Sequence, residues 1–317
     1  MQTLAGGNLP ASRPLAVRLC NWVGEVVLAL PTLKRLEAAG YDLLLLGKRW
    51  APALLAGTGW PVEVRAEGVW ASGRQLAALR RGLGQAPRAP AALLLTKSFS
   101  SALEARLGGW RGVGYARDGR SVLLSEAYAL PHFTHASHVY WHLASSFLRE
   151  SAPYPATTEL TPSSDQLASA AALLAANGLA DRPFVLLCPF SGADDREGRK
   201  LWPGFAALGS YLSQRGVATL VCPGPGEEPR AARTLPAAVR LLGVDLGVYA
   251  ALLARARAVV ANDTGPGHLA AAVGARLVAV YGPQSVSAWA PLGKRVELLH
   301  EPTGWPTIEQ VLERLPQ

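Results

Sequence analysis

The 317-residue sequence has few charged residues, three cysteines, one methionine and no long uninterrupted apolar run. Charged residues make up 17% of the chain and hydrophobic residues 50%, a balance that excludes a mainly disordered protein. No run approaches the roughly 20 apolar residues that a membrane-spanning helix needs, so we expect a protein that is not integral to a membrane. Residues 1–14 lack the features of a secretory signal, and we predict that they form a flexible arm.

The few cysteines indicate neither a metal site nor an oxidising compartment. Cys20, Cys188 and Cys222 each lie near the end of an apolar run, and none has a second cysteine or a histidine at metal-ligand spacing. Buried, reduced thiols in strands explain this pattern. The sequence therefore predicts a cytoplasmic protein without a metal site.

The net charge of +8 is unevenly distributed along the chain. Residues 1–160 contain 17 Lys/Arg against 10 Asp/Glu, a net +7, whereas residues 161–317 contain 14 against 13, a net +1. An anionic partner would therefore meet the first half, although a solvated basic surface explains the charge equally well. Nucleic-acid binding has only this charge in its favour, without a motif, so we predict no nucleic-acid partner.

Short apolar segments alternate with segments of helical periodicity along most of the chain. A stretch rich in Pro, Ser and Thr, 151–166, is typical of a linker. The pattern predicts an α/β protein with two parallel-sheet domains, 15–160 and 161–317, that face each other across a cleft. The predicted strands are 15–20, 41–46, 91–95, 184–188, 217–222, 258–261 and 277–281, and the predicted helices are 24–39, 166–177, 203–215, 248–256 and 269–273.

The segment 262–268, Asn-Asp-Thr-Gly-Pro-Gly-His, follows a predicted buried strand and opens a helix. Its glycines would let a ligand approach backbone N–H groups at the positive end of the helix dipole. Asp263 can bind hydroxyls, Thr264 can donate to an oxygen and His268 can contact a phosphate. We interpret the segment as an anion site. The alternative is a capped helix start, with Asp263 or Thr264 as the N-cap and His268 packed in the core.

Two further loops follow predicted strands of the second half. The loop 189–200 carries Ser191 and Lys200, and Lys200 can neutralise a phosphate, although an exposed lysine needs no such role. The loop 222–228, which contains Glu227, resembles a Gly-rich phosphate loop but lacks the Walker and dinucleotide patterns. A plain turn is an equal alternative there.

The loop after the first predicted strand, 21–25, contains a candidate catalytic carboxylate. Gly24 permits a tight turn, and Glu25 falls in the first turn of the following helix. A carboxylate at that position stabilises the helix dipole. It can equally serve as a general base if it faces a cleft.

Together these segments resemble the ADP-heptose:lipopolysaccharide heptosyltransferases over almost the whole chain after the arm. Asn-Trp-Val-Gly-Glu at 21–25 resembles that family's Ser-x-x-Gly-Asp loop, in the form of the heptosyltransferase II branch. The most specific match is 262–272, which is close to the signature Asp-Ser/Thr-Gly-x-x-His. Further similar segments are 97–102, 112–115, 189–193 and 200–203.

The resemblance implies a GT-B architecture of two Rossmann-like doubly wound domains. It implies a metal-independent, inverting transfer of heptose, or a related sugar, from an ADP-sugar to a lipopolysaccharide-core-like or other glycan acceptor. The ADP-sugar would be a substrate and no cofactor would be needed; Asp-x-Asp, a motif that holds a metal with a sugar nucleotide, is absent. The acceptor would be an anionic glycolipid at the inner membrane face, reached by a cytoplasmic enzyme with or without peripheral attachment.

Roles follow by position from the matched segments. Glu25 would be the catalytic base. The acceptor side would include Asn21, Trp22, Gly24 and Ser98. The donor side would include Ser191, Lys200, Glu227, Asp263, Thr264, Gly265 and His268.

One departure from the family concerns the base, which is normally Asp but here is Glu25. The extra methylene moves the carboxylate by about a bond length, and a misplacement of roughly 1 Å can cost about 100-fold in rate. An altered or inactive homologue that binds a sugar nucleotide or glycan is therefore the alternative function. A nicotinamide dehydrogenase is a weaker alternative, because the dinucleotide fingerprint is absent.

Overall fold

The computed structural model describes residues 13–84, 89–190, 200–283, 286 and 288–316. Most of the predicted N-terminal arm lies outside the described residues, and the first strand begins at Pro14. Within the described residues, none of the helices has the length and apolar character needed to cross a bilayer.

The first half of the chain forms a six-stranded, fully parallel sheet with helices between its strands. Its strands are β1 (Pro14–Arg18), β2 (Asp42–Gly47), β3 (Val62–Val64), β4 (Ala91–Leu94), β5 (Arg111–Tyr115) and β6 (Glu126–Tyr128). Its helices are α1 (Val23–Ala38), α2 (Ala51–Leu55), α3 (Val69–Gly82), α4 (Phe99–Leu107) and α5 (Ala136–Leu148), with short 3₁₀ helices at Ala56–Thr58 and Arg120–Leu123.

The second half forms another fully parallel sheet of six strands. Its strands are β7 (Phe184–Cys188), β8 (Ala218–Val221), β9 (Val239–Arg240), β10 (Ala258–Asn262), β11 (Leu277–Tyr281) and β12 (Val296–His300). Its helices are α6 (Ser164–Ala176), α7 (Phe205–Gln214), α8 (Glu228–Thr234), α9 (Leu246–Arg255), α10 (Gly265–Ala272) and α11 (Ile308–Arg314).

Both sheets have the same strand order. The first runs β3-β2-β1-β4-β5-β6 and the second β12-β11-β10-β7-β8-β9, which is the doubly wound order 3-2-1-4-5-6 in each half. The order reverses between β1 and β4 in the first sheet and between β7 and β10 in the second. Ligands of open α/β sheets bind at the carboxyl ends of the strands beside such a reversal, so each half presents one site of this kind. The predicted fold class is confirmed.

Burial explains why the central strands form. β7, β10 and β11 are buried at every residue, as expected for parallel strands covered by helices on both faces. In α1 the apolar residues at helical spacing, at positions 27, 30, 33 and 36, are buried. The helix α6 begins with a capping box, in which Ser163 and Gln166 satisfy each other's backbone N–H groups.

The two halves contact each other directly. The Gln166 side chain in α6 donates to the Ala53 carbonyl oxygen in α2, at 2.6 Å. The backbone N–H of Ala136, at the start of α5, donates to the Ala288 carbonyl oxygen at 2.9 Å. The Leu160 N–H donates to the Ala272 carbonyl oxygen, also at 2.9 Å, so the predicted linker packs on the second half.

The predicted strands 184–188 and 277–281 agree with the structure at both ends. The helix predicted to open within 262–268 and to include 269–273 runs from Gly265 to Ala272, with Thr264 at its N-cap position. The helix α5 was not predicted, since 136–148 mixes His, Ser and Trp among its apolar residues and hides the 3.6-residue period.

Gly57 provides a test of the contact between the halves. A Cβ added there would collide with the Thr161 carbonyl oxygen and lie 2.8 Å from the Ser163 backbone nitrogen, neither of which can rotate away. We expect Gly57→Ala to cost about 1–3 kcal/mol and to lower the melting temperature. The control is Gly82→Ala, whose added Cβ meets nothing within 4 Å. Equal melting temperatures for the two variants would contradict this packing.

Candidate functional site

The candidate residues lie in loops that follow the strands beside the two reversals of strand order. Residues 21–25 follow β1 and 97–98 follow β4 in the first sheet. In the second sheet, Lys200 follows β7 along the chain and 262–268 extends from the end of β10 into α10. Ser191 lies outside the described residues. Parallel strands of one sheet end at the same edge, so each half gathers its candidates at one edge.

Asn262 organises the candidate loops of the second half. Its buried side-chain amide donates to the Pro189 carbonyl oxygen at 2.8 Å, and its Oδ1 accepts from the Trp202 backbone N–H at 2.9 Å. One side chain therefore fixes the chain on both sides of 191–199, next to β10. Sequence reasoning included Asn262 in the anion segment but did not find this role, because its partners are about 60 and 70 positions away.

Asp263 and Lys200 form an ion pair at the end of β10. Lys200 Nζ lies 3.0 Å from Asp263 Oδ2, with the carboxylate side chain 7% exposed and the lysine side chain 47% exposed. The Tyr281 hydroxyl donates to Asp263 Oδ1 at 3.5 Å. Asp263 thus holds a partly exposed ammonium group at the end of the strand, where it can meet an anion.

The start of α10 has no side-chain cap. Thr264 occupies the N-cap position, but its side chain accepts no hydrogen bond from the first turn and instead donates to the Asn262 carbonyl oxygen at 3.3 Å. The Asp263 carboxylate is held by Lys200. The alternative of a side-chain-capped helix start therefore has no hydrogen bond to support it. Backbone N–H groups at the positive end of a helix dipole favour anions.

His268 lies across the junction between the halves. Its ring is 5% exposed and faces Gly24, where an added Cβ would lie 2.6 Å from His268 Cδ2. Burial lowers the pKa of His268 to about 4, and the opposing attraction of the Asp263 carboxylate is too weak to restore it. The Nδ1 atom is buried without a hydrogen-bond partner, a costly state that a ligand could relieve.

Gly24 and Gly265 allow the two halves to meet. A Cβ on Gly265 would lie 3.1 Å from Val23 Cβ, so the first turns of α1 and α10 approach each other at both glycines. The start of α10 and the first loop of the other half are therefore neighbours. This is the juxtaposition expected of two bound substrates.

Glu25 is half-buried in the first turn of α1. The Tyr140 hydroxyl in α5 donates to its Oε1 at 3.3 Å. Burial raises the pKa of Glu25, and the Tyr140 hydroxyl and the Lys97 charge partly oppose that rise. A carboxylate with a raised pKa beside a junction is suited to accept a proton near neutral pH.

The remaining acceptor-side candidates differ in what occupies their side chains. Trp22 is 56% exposed beside Glu25, and exposed Asn21 accepts from Arg18 through its Oδ1 at 3.3 Å. Ser98 is the N-cap of α4 and accepts from the Ser101 N–H at 3.4 Å. The Ser98 hydroxyl therefore has a structural role irrespective of any ligand.

Glu227 lies after β8 and folds back over its own loop. Its Oε2 accepts from the Gly224 N–H at 2.8 Å, and burial raises the pKa of its carboxyl group. Across the described parts of the chain, no three His, Cys, Asp or Glu side chains are arranged to hold a metal ion.

Two parallel doubly wound halves that meet at their strand ends form the GT-B architecture, in which two Rossmann-like domains face each other. The model of glycosyltransferase family 9 (heptosyltransferase) matches residues 76–314. The chain belongs to this family.

Individual relatives agree with this assignment. Lipooligosaccharide heptosyltransferase 2 of Haemophilus influenzae is 32% identical over 132 residues, 38% of this chain and 37% of that protein, so the match spans well under half of the relative's length. The structure of E. coli ADP-heptose lipopolysaccharide heptosyltransferase II superposes with a TM-score of 0.78 at 22% identity, covering 95% of this chain and 97% of that one. E. coli heptosyltransferase WaaC with ADP gives 0.71 at 21% identity, covering 95% and 98%. At these identities the structures show a shared fold.

The contact between Gly24 and His268 predicts a measurable change in proton affinity. Gly24→Ala should displace the His268 ring from its buried position, because the added methyl would lie 2.6 Å from the ring. The pKa of His268 should then rise from about 4 toward its ordinary value of 6.5, since burial is what lowers it. An NMR titration of the histidine ring protons, assigned with His268→Gln, measures this pKa.

Gly82→Ala is again the matched control, and its His268 should titrate as in the wild type.

The neutral His268 ring also makes the free energy of unfolding depend on pH. Its contribution is complete above the unfolded pKa of about 6.5 and is lost as the pH falls through about 4, because the folded protein resists protonation. A His268 that titrates near 6.5 in wild-type protein would contradict the buried contact.

Proposed function

We propose that the protein is a metal-independent glycosyltransferase that moves heptose, or a related sugar, from an ADP-sugar to a lipopolysaccharide-core-like glycan acceptor with inversion. The observation that carries this proposal is the meeting of the Glu25 loop with the start of α10 through the Gly24–His268 contact. A base and an anion site on opposite sides of one junction are the two parts that sugar transfer from a nucleotide requires.

The second half would bind the donor. The N–H groups at the start of α10, at Thr264 and Gly265, and the Lys200 ammonium would donate hydrogen bonds to the diphosphate oxygens. His268 supplies a buried ring nitrogen without a partner at the same helix. Asp263 would bind sugar hydroxyls while it holds Lys200.

Ser191 and Glu227 complete the proposed donor side, with Glu227 near the nucleoside. Support for Glu227 comes from its half-buried position in the loop after β8. E. coli WaaC has the same fold and a structure with ADP, which makes ADP the natural probe for this half.

The first half would bind the acceptor. Trp22 presents an exposed aromatic ring beside Glu25, a surface that suits the apolar face of a sugar. Asn21 and Ser98 stand in the neighbouring loops, and Lys97 adds a positive charge near Glu25. The net +7 of residues 1–160 suits an anionic glycolipid and, in a cytoplasmic enzyme, peripheral contact with the inner membrane face.

The chemistry assigns one proton transfer to Glu25. As the acceptor hydroxyl oxygen forms its bond to the anomeric carbon, the Glu25 carboxylate takes the hydroxyl proton. The bond from that carbon to the diphosphate oxygen breaks on the opposite face, which inverts the configuration. The ADP leaving group carries the electron pair away, and Lys200 with the α10 N–H groups would stabilise its charge.

Glu25→Gln tests the proposed base. The amide keeps the size of the side chain but cannot accept the proton, so turnover should fall by about 100-fold or more while the affinity for ADP stays nearly unchanged. Transfer of heptose from ADP-heptose to an inner-core lipid acceptor measures turnover, and calorimetry measures ADP binding.

The control for this substitution is Glu150→Gln, at an exposed site beyond the far end of α5. Near wild-type turnover in Glu25→Gln would rule out this base. Wild-type protein that binds ADP-heptose but transfers it to no inner-core acceptor would favour the alternative, a homologue that binds a sugar nucleotide or glycan without transfer.

Lys200→Gln tests the donor site. The loss of a charge-assisted contact to the diphosphate should weaken ADP binding by about 10- to 100-fold. Lys294→Gln is the matched control, because Lys294 also pairs with a carboxylate, Glu159 at 2.9 Å, but is exposed and outside the candidate loops. Only Lys200→Gln should lose affinity, and the loss should shrink at high salt.

Equal ADP affinities in the two lysine variants would argue against the donor assignment.

The ADP titration and the turnover assay, both repeated in EDTA, test the proposed metal independence. Binding and turnover that vanish with the chelator and return with a divalent metal would refute that part of the proposal.

A further inference from the structure

Tyr140 contacts the proposed base but belongs to none of the segments that resemble the family. It lies in the second turn of α5, its side chain is 3% exposed, and its hydroxyl donates to Glu25 Oε1 at 3.3 Å. The helix α5 packs beside α1, so the contact joins two neighbouring helices of the first half. Residues 115 positions apart thus share one hydrogen bond at the junction.

The chemistry of the two groups fixes the direction of that hydrogen bond, because a carboxylate oxygen can only accept. A buried thiol, that of Cys20 just after β1, lies near the Tyr140 hydroxyl. Burial raises the pKa of both Cys20 and Tyr140, so both keep their protons. The hydroxyl has a single proton, and the Glu25 carboxylate is the strongest acceptor within its reach. The proton of Tyr140 is therefore directed at Glu25.

Because the glutamate side chain is long, a hydrogen bond that restricts its carboxylate matters for catalysis. Glutamate has one more rotatable bond than aspartate, so its carboxylate can occupy more positions. A general base must be held within hydrogen-bond reach of the proton that it accepts. A tether on one carboxylate oxygen restricts these positions.

We infer that Tyr140 is a positioning residue that holds the Glu25 carboxylate for proton transfer, and that Glu25 and Tyr140 act as a matched pair. The inference rests on the proposed role of Glu25 as the base. It explains how the longer glutamate side chain can act as the general base at a position where the family usually has aspartate. Tyr140 itself neither touches the acceptor nor exchanges a proton.

The charged and titratable groups around Glu25 determine the sign of the pH effect. They are Tyr140 from α5, Cys20 from β1, Lys97 from the loop after β4, and His268 from α10, which faces the adjacent Gly24. His268 is neutral above a pH of about 4 and Cys20 keeps its proton. Lys97 and Tyr140 both lower the pKa of Glu25, against the burial that raises it.

Tyr140→Phe in the full-length protein removes the hydroxyl and keeps the ring. The carboxylate loses a stabilising donor, so its pKa rises and the acidic limb of the kcat–pH profile should move to higher pH, by about half a unit to one unit. At the optimal pH, kcat should fall by roughly 10-fold because the carboxylate is less well held, while the KM for ADP-heptose stays within about twofold.

Tyr249→Phe is the matched control. Tyr249 in α9 is also buried, and its hydroxyl bonds the Cys188 thiol at 3.1 Å. This variant removes a buried tyrosine hydroxyl next to a cysteine, as Tyr140→Phe does, but has no contact with Glu25. It should leave the acidic limb at its wild-type position.

Glu25→Asp makes the test specific to the pair. The shorter side chain withdraws the carboxylate from Tyr140 by about 1.5 Å and should break the bond. Tyr140→Phe should therefore have little further effect on kcat or on the acidic limb when it is combined with Glu25→Asp. A double-mutant cycle with these variants measures the coupling.

The outcomes separate this inference from the proposed function. Turnover that survives Glu25→Gln overturns the base and the pair together. If Glu25→Gln abolishes turnover but Tyr140→Phe matches the wild type in kcat and pH profile, only the role of Tyr140 is overturned. A Tyr140→Phe protein that melts far below the Tyr249→Phe control also overturns it, because the hydroxyl would then support the fold alone. The same conclusion follows if Tyr140→Phe impairs turnover equally with and without Glu25→Asp.

Discussion

The common direction of the strands governs where chemistry can occur in this protein. All described strands of each sheet are parallel, so each sheet presents the loops after its strands along a single edge. The reversal of strand order opens a gap at that edge between β1 and β4 and between β7 and β10. The proposed base, the start of α10 proposed to bind the diphosphate, and Lys200 all depend on these two gaps facing each other.

The edges of the two sheets differ in the charged groups that they present. The edge of the second half combines backbone N–H groups with Lys200, and the buried Asp263 carboxylate keeps that lysine in place. The edge of the first half keeps a carboxylate, Glu25, in partial burial that favours its protonated form. The two edges thus present opposite charges, and neither would be suited to the role proposed for the other.

Local pattern was enough to predict the fold class and to place the candidate residues in loops after the strands. Continuous apolar runs fix strands such as β7 and β11, and a parallel sheet then determines where the following residues must lie. What the sequence could not provide is contact between distant residues. Tyr140 reaches Glu25 from a helix with no clear apolar period, and Asn262 bonds two loops far away along the chain.

Such contacts depend on how helices pack on the finished sheets, and spacing along the chain carries no record of that packing. The outcome for the capping alternative shows the same limit. A threonine before a helix is a normal N-cap in sequence, yet the hydroxyl of Thr264 turns back to the Asn262 carbonyl and leaves the helix start open. The direction in which the Thr264 hydroxyl donates therefore decides whether the start of α10 has a side-chain cap.

The contact between Gly24 and His268 also has an evolutionary consequence. The glycine and the histidine stand 244 positions apart in the chain, in different halves, and each limits what the other can become. A side chain at 24 is compatible only with a smaller residue at 268 or with halves that stand further apart. The two halves are therefore not free to diverge independently or to be exchanged between relatives. Substitutions at positions 24 and 268 must be compatible with each other.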